Sequence, residues 1–177
     1  ILYWFVFKNL KVQNAFIAIV SYFFYGWWDW RFLSLILFSS LLDYSIGILL
    51  KRENKASKRK FLLIISLTVN LGFLGFFKYY NFFASSLSEA LNSVGLSTSP
   101  FLLNVVLPVG ISFDTFHGLS YVIDIYLKRI KAETNFVDYS LFVSYFPLLV
   151  AGPIERATHL LPQVKIKRQF DFEKAKE

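Results

Sequence analysis

Three ionisable side chains, Asp114, His117 and Asp124, lie inside one apolar run, GISFDTFHGLSYVIDIY. Their spacing places them on one broad face of an α-helix, at about 3.6 residues per turn. Ionisable groups at membrane depth are expensive: an Asp at a helix centre costs about 2.5–3.5 kcal/mol on insertion scales. A stripe of this kind must face a cavity or the protein interior. It is either the wall of a polar channel, with His117 as base or ligand, or a hydrogen-bond cluster that glues helices together. Gluing is the commoner use of a polar residue in a bundle, and we favour it for His117.

The second stretch with chemical potential is SYFPLLVAGPIERATHLLPQ. Pro147, Gly152 and Pro153 break a helix, and broken backbone at membrane depth must be buried in protein or line a cavity. Glu155 and Arg156 follow directly. Gly152, Pro153, Glu155 and Arg156 therefore join Asp114, His117 and Asp124 as candidates for a substrate path; the plainer alternative is a helix ending at the interface. His159 reads as solvated and Asp43 as a packing residue paired within the bundle. No metal site is expected, because the two histidines and the carboxylates show no ligand spacing such as HExxH, and Cys is absent. No phosphate-binding glycine loop, GxSxG elbow or CxxC occurs.

The elements that must position these groups are apolar blocks separated by charge. Of the 177 residues, 55% are hydrophobic, 20% aromatic and only 18% charged, against about 25% charged in soluble domains. Apolar residues fill whole blocks rather than one stripe, as a lipid-facing helix requires. The expectation is an all-α, polytopic transmembrane helix bundle with broken or re-entrant segments, its helices near 14–28, 32–51, 60–83, 101–127 and 137–152. The tryptophans of YGWWDWRF suit a membrane interface. The Ser-rich stretch 84–100 reads as a connection.

The net charge of +7 sits in short loops beside the blocks, which is the positive-inside pattern and not a nucleic-acid footprint. Placing KRENKASKRK (51–60) in the cytoplasm also puts Lys8, Lys11 and the Lys128–Lys131 cluster there. Block 139–154 breaks the pattern, because a full crossing would put Lys165, Lys167 and Arg168 outside. It is sixteen residues long, about 24 Å of helix against a hydrocarbon core near 30 Å. It is therefore expected to enter the membrane without crossing, bringing Glu155 and Arg156 to the cytoplasmic mouth. The apolar opening without Met and the charged ending FDFEKAKE suggest a single transmembrane domain over 1–177, cut from a longer chain at both ends.

LPVGISFDTFHGLSYVIDIY and YFPLLVAGPIERATHLLPQ resemble signature segments of the membrane-bound O-acyltransferases (MBOAT), especially the alginate O-acetyltransferase branch. SYFFYGWWDWRF and NLGFLGFFKYYNFF resemble that branch's early helices, in the same order. The resemblance implies a multi-pass enzyme of the bacterial inner membrane that moves an acyl group, acetyl in this branch, toward hydroxyls of an exported polysaccharide or toward periplasmic relay proteins. It implies an acyl-thioester or acyl-carrier donor, with no cofactor bound, and a catalytic histidine in a later half, so that no catalytic residue lies in this chain. Asp114 and His117 depart from the family's usual residues at these positions. A D-alanyl transferase for teichoic acid and a transporter or channel are the competing readings; a transporter would be supported by inverted repeats, and none is visible.

Overall fold

The computed structural model describes residues 3, 7, 9–28, 30–97, 99, 110–152 and 155–167, and every regular element among them is helical. The order is α1 (Leu10–Trp28), α2 (Trp30–Arg52), α3 (Ala56–Ser93), α4 (Ile111–Tyr126), α5 (Phe136–Ser144), α6 (Phe146–Ala151) and α7 (Ala157–Lys165). The stretches Leu33–Arg52 and Ala56–Ser93 are long and apolar enough to cross a membrane. Trp27 and Trp30, both largely exposed, flank the junction of α1 and α2.

Several bounds differ from expectation. α1 starts four residues early. α3 runs ten residues beyond 83, because Ala84, Leu87, Glu89, Ala90 and Leu91 are good helix formers and carry the serines among them. Its 38 residues make a rod of about 57 Å, longer than one hydrocarbon core. The expected helix 101–127 is described only from Ile111 onward; 101–109 lie outside the described residues. The expected helix 137–152 is two helices. The break falls at Tyr145, so that Pro147 occupies the first turn of α6, where its missing N–H has no intrahelical partner to lose. Beyond it the tail expected to be merely polar forms α7, which buries Ala157, Leu161 and Val164 at helical spacing.

α2 and α4 pack through reciprocal glycines. A Cβ on Gly118 would fall on Asp43 Oδ2, and one on Gly47 would lie 2.7 Å from the Tyr121 ring. Each helix thus receives a large polar side chain of the other against bare backbone, the small-residue packing that lets helices approach where lipid offers no hydrophobic drive. Around this contact Ile46, Leu50, Tyr121, Val122, Ile125, Tyr139, Phe142, Val143 and Leu161 form the main core.

One end of the bundle collects the basic loops. There α2 passes into α3 and α4 closes at Leu127. Lys128 takes φ 58°, Arg129 N bonds Asp124 O at 2.8 Å and Lys128 N bonds Ile125 O at 3.0 Å, a Schellman closure. The buried guanidinium of Arg59 ties the helix ends together. It donates to Leu50 O, to Glu53 O at 3.3 Å, to Ile125 O at 3.1 Å and to Tyr126 O at 2.9 Å.

Both flanks of the broken segment return to this end. Asn14 Nδ2 donates to Asp138 Oδ1 at 2.8 Å, at the start of α5, and to Val164 O at 3.0 Å, at the end of α7. Lys165 pairs with Glu133 in the loop before α5. The chain enters along α5 and α6 and comes back along α7. Single cysteines replacing exposed Lys131 and Gln163, in a stretch with no Cys of its own, should therefore react with a membrane-impermeant thiol reagent from the same side. Labelling from opposite sides would mean that the segment crosses.

Candidate functional site

At mid-depth the bundle interior is polar. Asp43, in the middle of α2, is 1% exposed. Its Oδ1 accepts from Ser66 Oγ at 2.6 Å and from Asn70 Nδ2 at 3.0 Å, and its Oδ2 lies 3.1 Å from the same amide nitrogen. Ser66 and Asn70 are one helical turn apart on α3, so one face of that helix presents both donors. Asp114, near the start of α4, accepts from Ser39 Oγ at 3.0 Å through Oδ2, while its buried Oδ1 has no hydrogen-bond partner within the described protein. Both carboxylates are thus met by neutral donors, although buried charges are ordinarily paired with opposite charge.

The seam continues toward α1 and α5. Ser140 Oγ donates to Tyr22 Oη at 2.8 Å, and Phe146 N lies 3.4 Å from Ser21 Oγ, at the break between α5 and α6. On the other side His117, 1% exposed, packs its ring against Phe142 with centroids 5.7 Å apart. Its Nε2 accepts the backbone N–H of Glu155 at 3.3 Å, which places the ring proton on Nδ1. His117 therefore holds the turn that opens α7.

This geometry sorts the sequence candidates. Asp114 and His117 share the seam, and Glu155 reaches it through its backbone. Asp124 does not: it lies seven residues beyond His117, about 10 Å along α4, where its Oδ1 sits 3.2 Å from Arg129 at the basic end. The stripe is one face in register but two sites in depth. Gly152 caps α6 in extended conformation; Pro153 lies outside the described residues. Arg156 is the exposed N-cap residue of α7. Glu155 and Arg156 are not at the basic mouth, where sequence reasoning put them. They lie level with His117, because the nine residues of α7 carry the chain from there back to Lys165. Glu155 Oε2 is 2.7 Å from His159 Nδ1, and His159 Nε2 is 3.3 Å from Gln163 Nε2, so His159 has polar partners on the outer face of α7 and is not simply solvated. Among the described residues no three His, Cys, Asp or Glu side chains cluster to hold a metal.

Residues that composition alone did not single out support the seam from below. Tyr121 Oη accepts from Glu133 N at 2.9 Å, and Tyr44 Oη donates to Thr134 O at 2.6 Å. Glu133 Oε1 accepts from Thr134 N and Asn135 N at 2.8 and 2.9 Å. Burial pushes the Glu133 carboxyl upward, but the Lys165 bond and these backbone donors outweigh it and hold it below the usual range. The loop 127–135 is thus strapped to the interior of α2 and α4 and to the end of α7.

Carboxylates and a histidine buried among apolar helices, with two of those helices long enough to span a bilayer, define a membrane protein with a polar interior. No protein-family model matches the chain, and no solved structure matches it. Curated proteins do. A probable alginate O-acetylase of Pseudomonas aeruginosa is 40% identical over 157 residues, covering 86% of this chain and 29% of that protein. The corresponding protein of Pseudomonas syringae pv. tomato is 39% identical, covering 86% and 30%. A peptidoglycan O-acetyltransferase of Helicobacter pylori is 30% identical over 184 residues, covering 90% and 34%. The chain is a relative of the membrane-bound O-acyltransferases, of the alginate O-acetylase branch. It spans about a third of the length of the curated relatives it matches.

Proposed function

We propose that this chain forms part of a multi-pass O-acetyltransferase of the bacterial cytoplasmic membrane that acetylates hydroxyls of an exported polysaccharide, alginate or a polymer like it. The observation that carries the reading is the 40% identity over 86% of the chain to a protein named for alginate O-acetylation. The peptidoglycan O-acetyltransferase match at 30% supports the same chemistry on a second exported glycan. The basic loops face the cytoplasm, and an acyl-thioester or acyl-carrier donor approaches from that side. Acceptor polysaccharide or periplasmic relay proteins approach from the other.

Transfer to a hydroxyl needs a base for the hydroxyl proton and a polar, water-poor place in which the acyl carbonyl meets the oxygen. The seam fits the second need: Asp114 Oδ1 is buried and free to accept, beside a turn whose backbone is held by a histidine. Neither histidine is set up for the first need. His117 Nε2 is occupied by the Glu155 N–H, and His159 faces outward against Glu155. The base that the family resemblance implies is a histidine in a later half of such an enzyme.

Complementation tests the reading. The intact protein, expressed in an alginate-producing host stripped of its own membrane O-acetylase, should restore acetyl esters on the polymer, read by proton NMR of the purified polysaccharide. A polymer free of acetyl despite membrane-inserted protein would sink it.

A further inference from the structure

Of the ten residues of KRENKASKRK, only Arg59 is buried and turned toward the helix ends. Lys51, Arg52, Lys55, Lys58 and Lys60 remain exposed, against a single acidic residue, Glu53. Glu53 is already engaged: its Oε1 accepts Asn54 N at 3.0 Å and Lys55 N at 2.9 Å, and Lys58 Nζ stands 3.7 Å from its Oε2. The backbone bond from Lys55 keeps this carboxyl below its usual range, so it stays charged and fixes the turn without cancelling the surrounding positive field.

Beside this turn, between the last turn of α2 and the first turns of α3, lies a groove of about 420 Å³ lined by Leu49, Arg52, Glu53, Lys58, Phe61 and Leu62. Its apolar wall is unusually open for a protein surface: Leu49 is 47% and Phe61 64% exposed. Further along the same helices Leu41 and Ile64 are also about half exposed. α3 turns few side chains inward, with Arg59, Ser66, Asn70, Leu74 and Ser88 buried, so these apolar groups lie on the outer face of the two helices. The groove therefore grades from cationic to apolar over two helical turns, the order of polarity in a phospholipid from headgroup to acyl chain.

We propose that this groove is a binding site for one anionic phospholipid, its headgroup phosphate held between Arg52 and Lys58 and the top of an acyl chain lying on Leu49, Phe61 and Leu62. Charge complementarity selects the occupant. A zwitterionic headgroup brings its own cation to a site already crowded with cations, and a free phosphate makes no use of the apolar wall. Arg52 offers a planar fork to phosphate oxygens, and Lys58 a point charge. A lipid seated here would bridge α2 and α3 at the turn whose Arg59 clamps α4, on the lipid-facing side and apart from the polar seam.

Native mass spectrometry of the intact protein in a neutral detergent, titrated with phosphatidylglycerol or phosphatidylcholine, tests this. Wild type should retain phosphatidylglycerol preferentially. Each basic residue near anionic lipid is worth roughly fivefold in binding, so the Arg52→Gln/Lys58→Gln protein should bind phosphatidylglycerol about 25-fold more weakly. Lys128→Gln/Lys131→Gln removes the same charge from the same end of the bundle and should leave binding within about twofold. Phe61→Ser should weaken lipid binding while all variants keep wild-type circular dichroism. Undiminished phosphatidylglycerol retention by the Arg52/Lys58 variant overturns the site. So does an equal loss in the Lys128/Lys131 variant, which would mean a diffuse charge effect. Displacement of the lipid by millimolar inorganic phosphate would also overturn it, by assigning the groove to a soluble anion.

Discussion

Arg59→Ala is expected to destabilise the fold by about 3 kcal/mol, the upper end of the range for hydrogen bonds to a charged group. Against the ~5–15 kcal/mol that holds a domain together, this is a large share of the margin. The guanidinium bonds the backbone carbonyls of Leu50, Glu53, Ile125 and Tyr126 and lies over the Tyr126 ring at 5.7 Å. These acceptors belong to the ends of α2 and α4, where carbonyls lack intrahelical partners and the helix dipole favours a cation. Alanine removes this donor from all four carbonyls, of which Ile125 O keeps the Lys128 N–H. Arg59→Lys should recover less than half of the loss, because an ammonium cannot present the fork that reaches two helix ends at once. Lys60→Ala, one residue away and exposed, should stay within about 0.5 kcal/mol of wild type. Denaturant unfolding in detergent measures all three. An Arg59→Ala protein as stable as the Lys60→Ala protein would show that the clamp contributes nothing.

The same residue shows where sequence reasoning stops. Within KRENKASKRK, Arg59 differs from its neighbours in nothing that composition registers. Its role depends on the phase of α3 relative to the ends of two other helices, which is a non-local fact. Apolar blocks and basic punctuation did carry α1, α2 and the front of α3, because lipid demands an apolar circumference and a length. They failed at 84–93, where serine reads as loop but surrounding leucine, alanine and glutamate keep the helix. They failed again at α7, whose buried Ala157, Leu161 and Val164 have helical spacing but too little hydrophobicity to stand out in a polar tail. The candidate stripe failed differently. Helical periodicity assigns Asp114, His117 and Asp124 to one buried face and is silent on depth, and depth separates a mid-bundle carboxylate from one that pairs with Arg129 at the basic end. Asp43 was legible as a paired residue, but its partners Ser66 and Asn70 were not, since nothing local marks which polar groups of α3 face inward.

Gly118→Val should be about as damaging as loss of the clamp, and for a reason confined to the seam. A Cβ at Gly118 would occupy the position of Asp43 Oδ2, and valine is stiff at χ1 and cannot fold its methyls away. Asp43 must then swing out of its contacts with Ser66 and Asn70, or α2 must move off α4. Overpacking of this kind costs about 1–3 kcal/mol, and stranding a buried carboxylate and its donors adds about 1–3 kcal/mol more. Asp43→Ala alone should also destabilise, because Ser66 and Asn70 lose their acceptor. The two changes should not add. With Asp43 shortened to alanine, the valine has room, so the double variant should be more stable than the sum of the singles predicts by at least about 1 kcal/mol, within the range for residues in contact. Unfolding free energies of the four proteins give that coupling directly. Strict additivity would mean that Gly118 and Asp43 do not share space, and the close approach of α2 and α4 that sets the geometry of the seam would have to be abandoned.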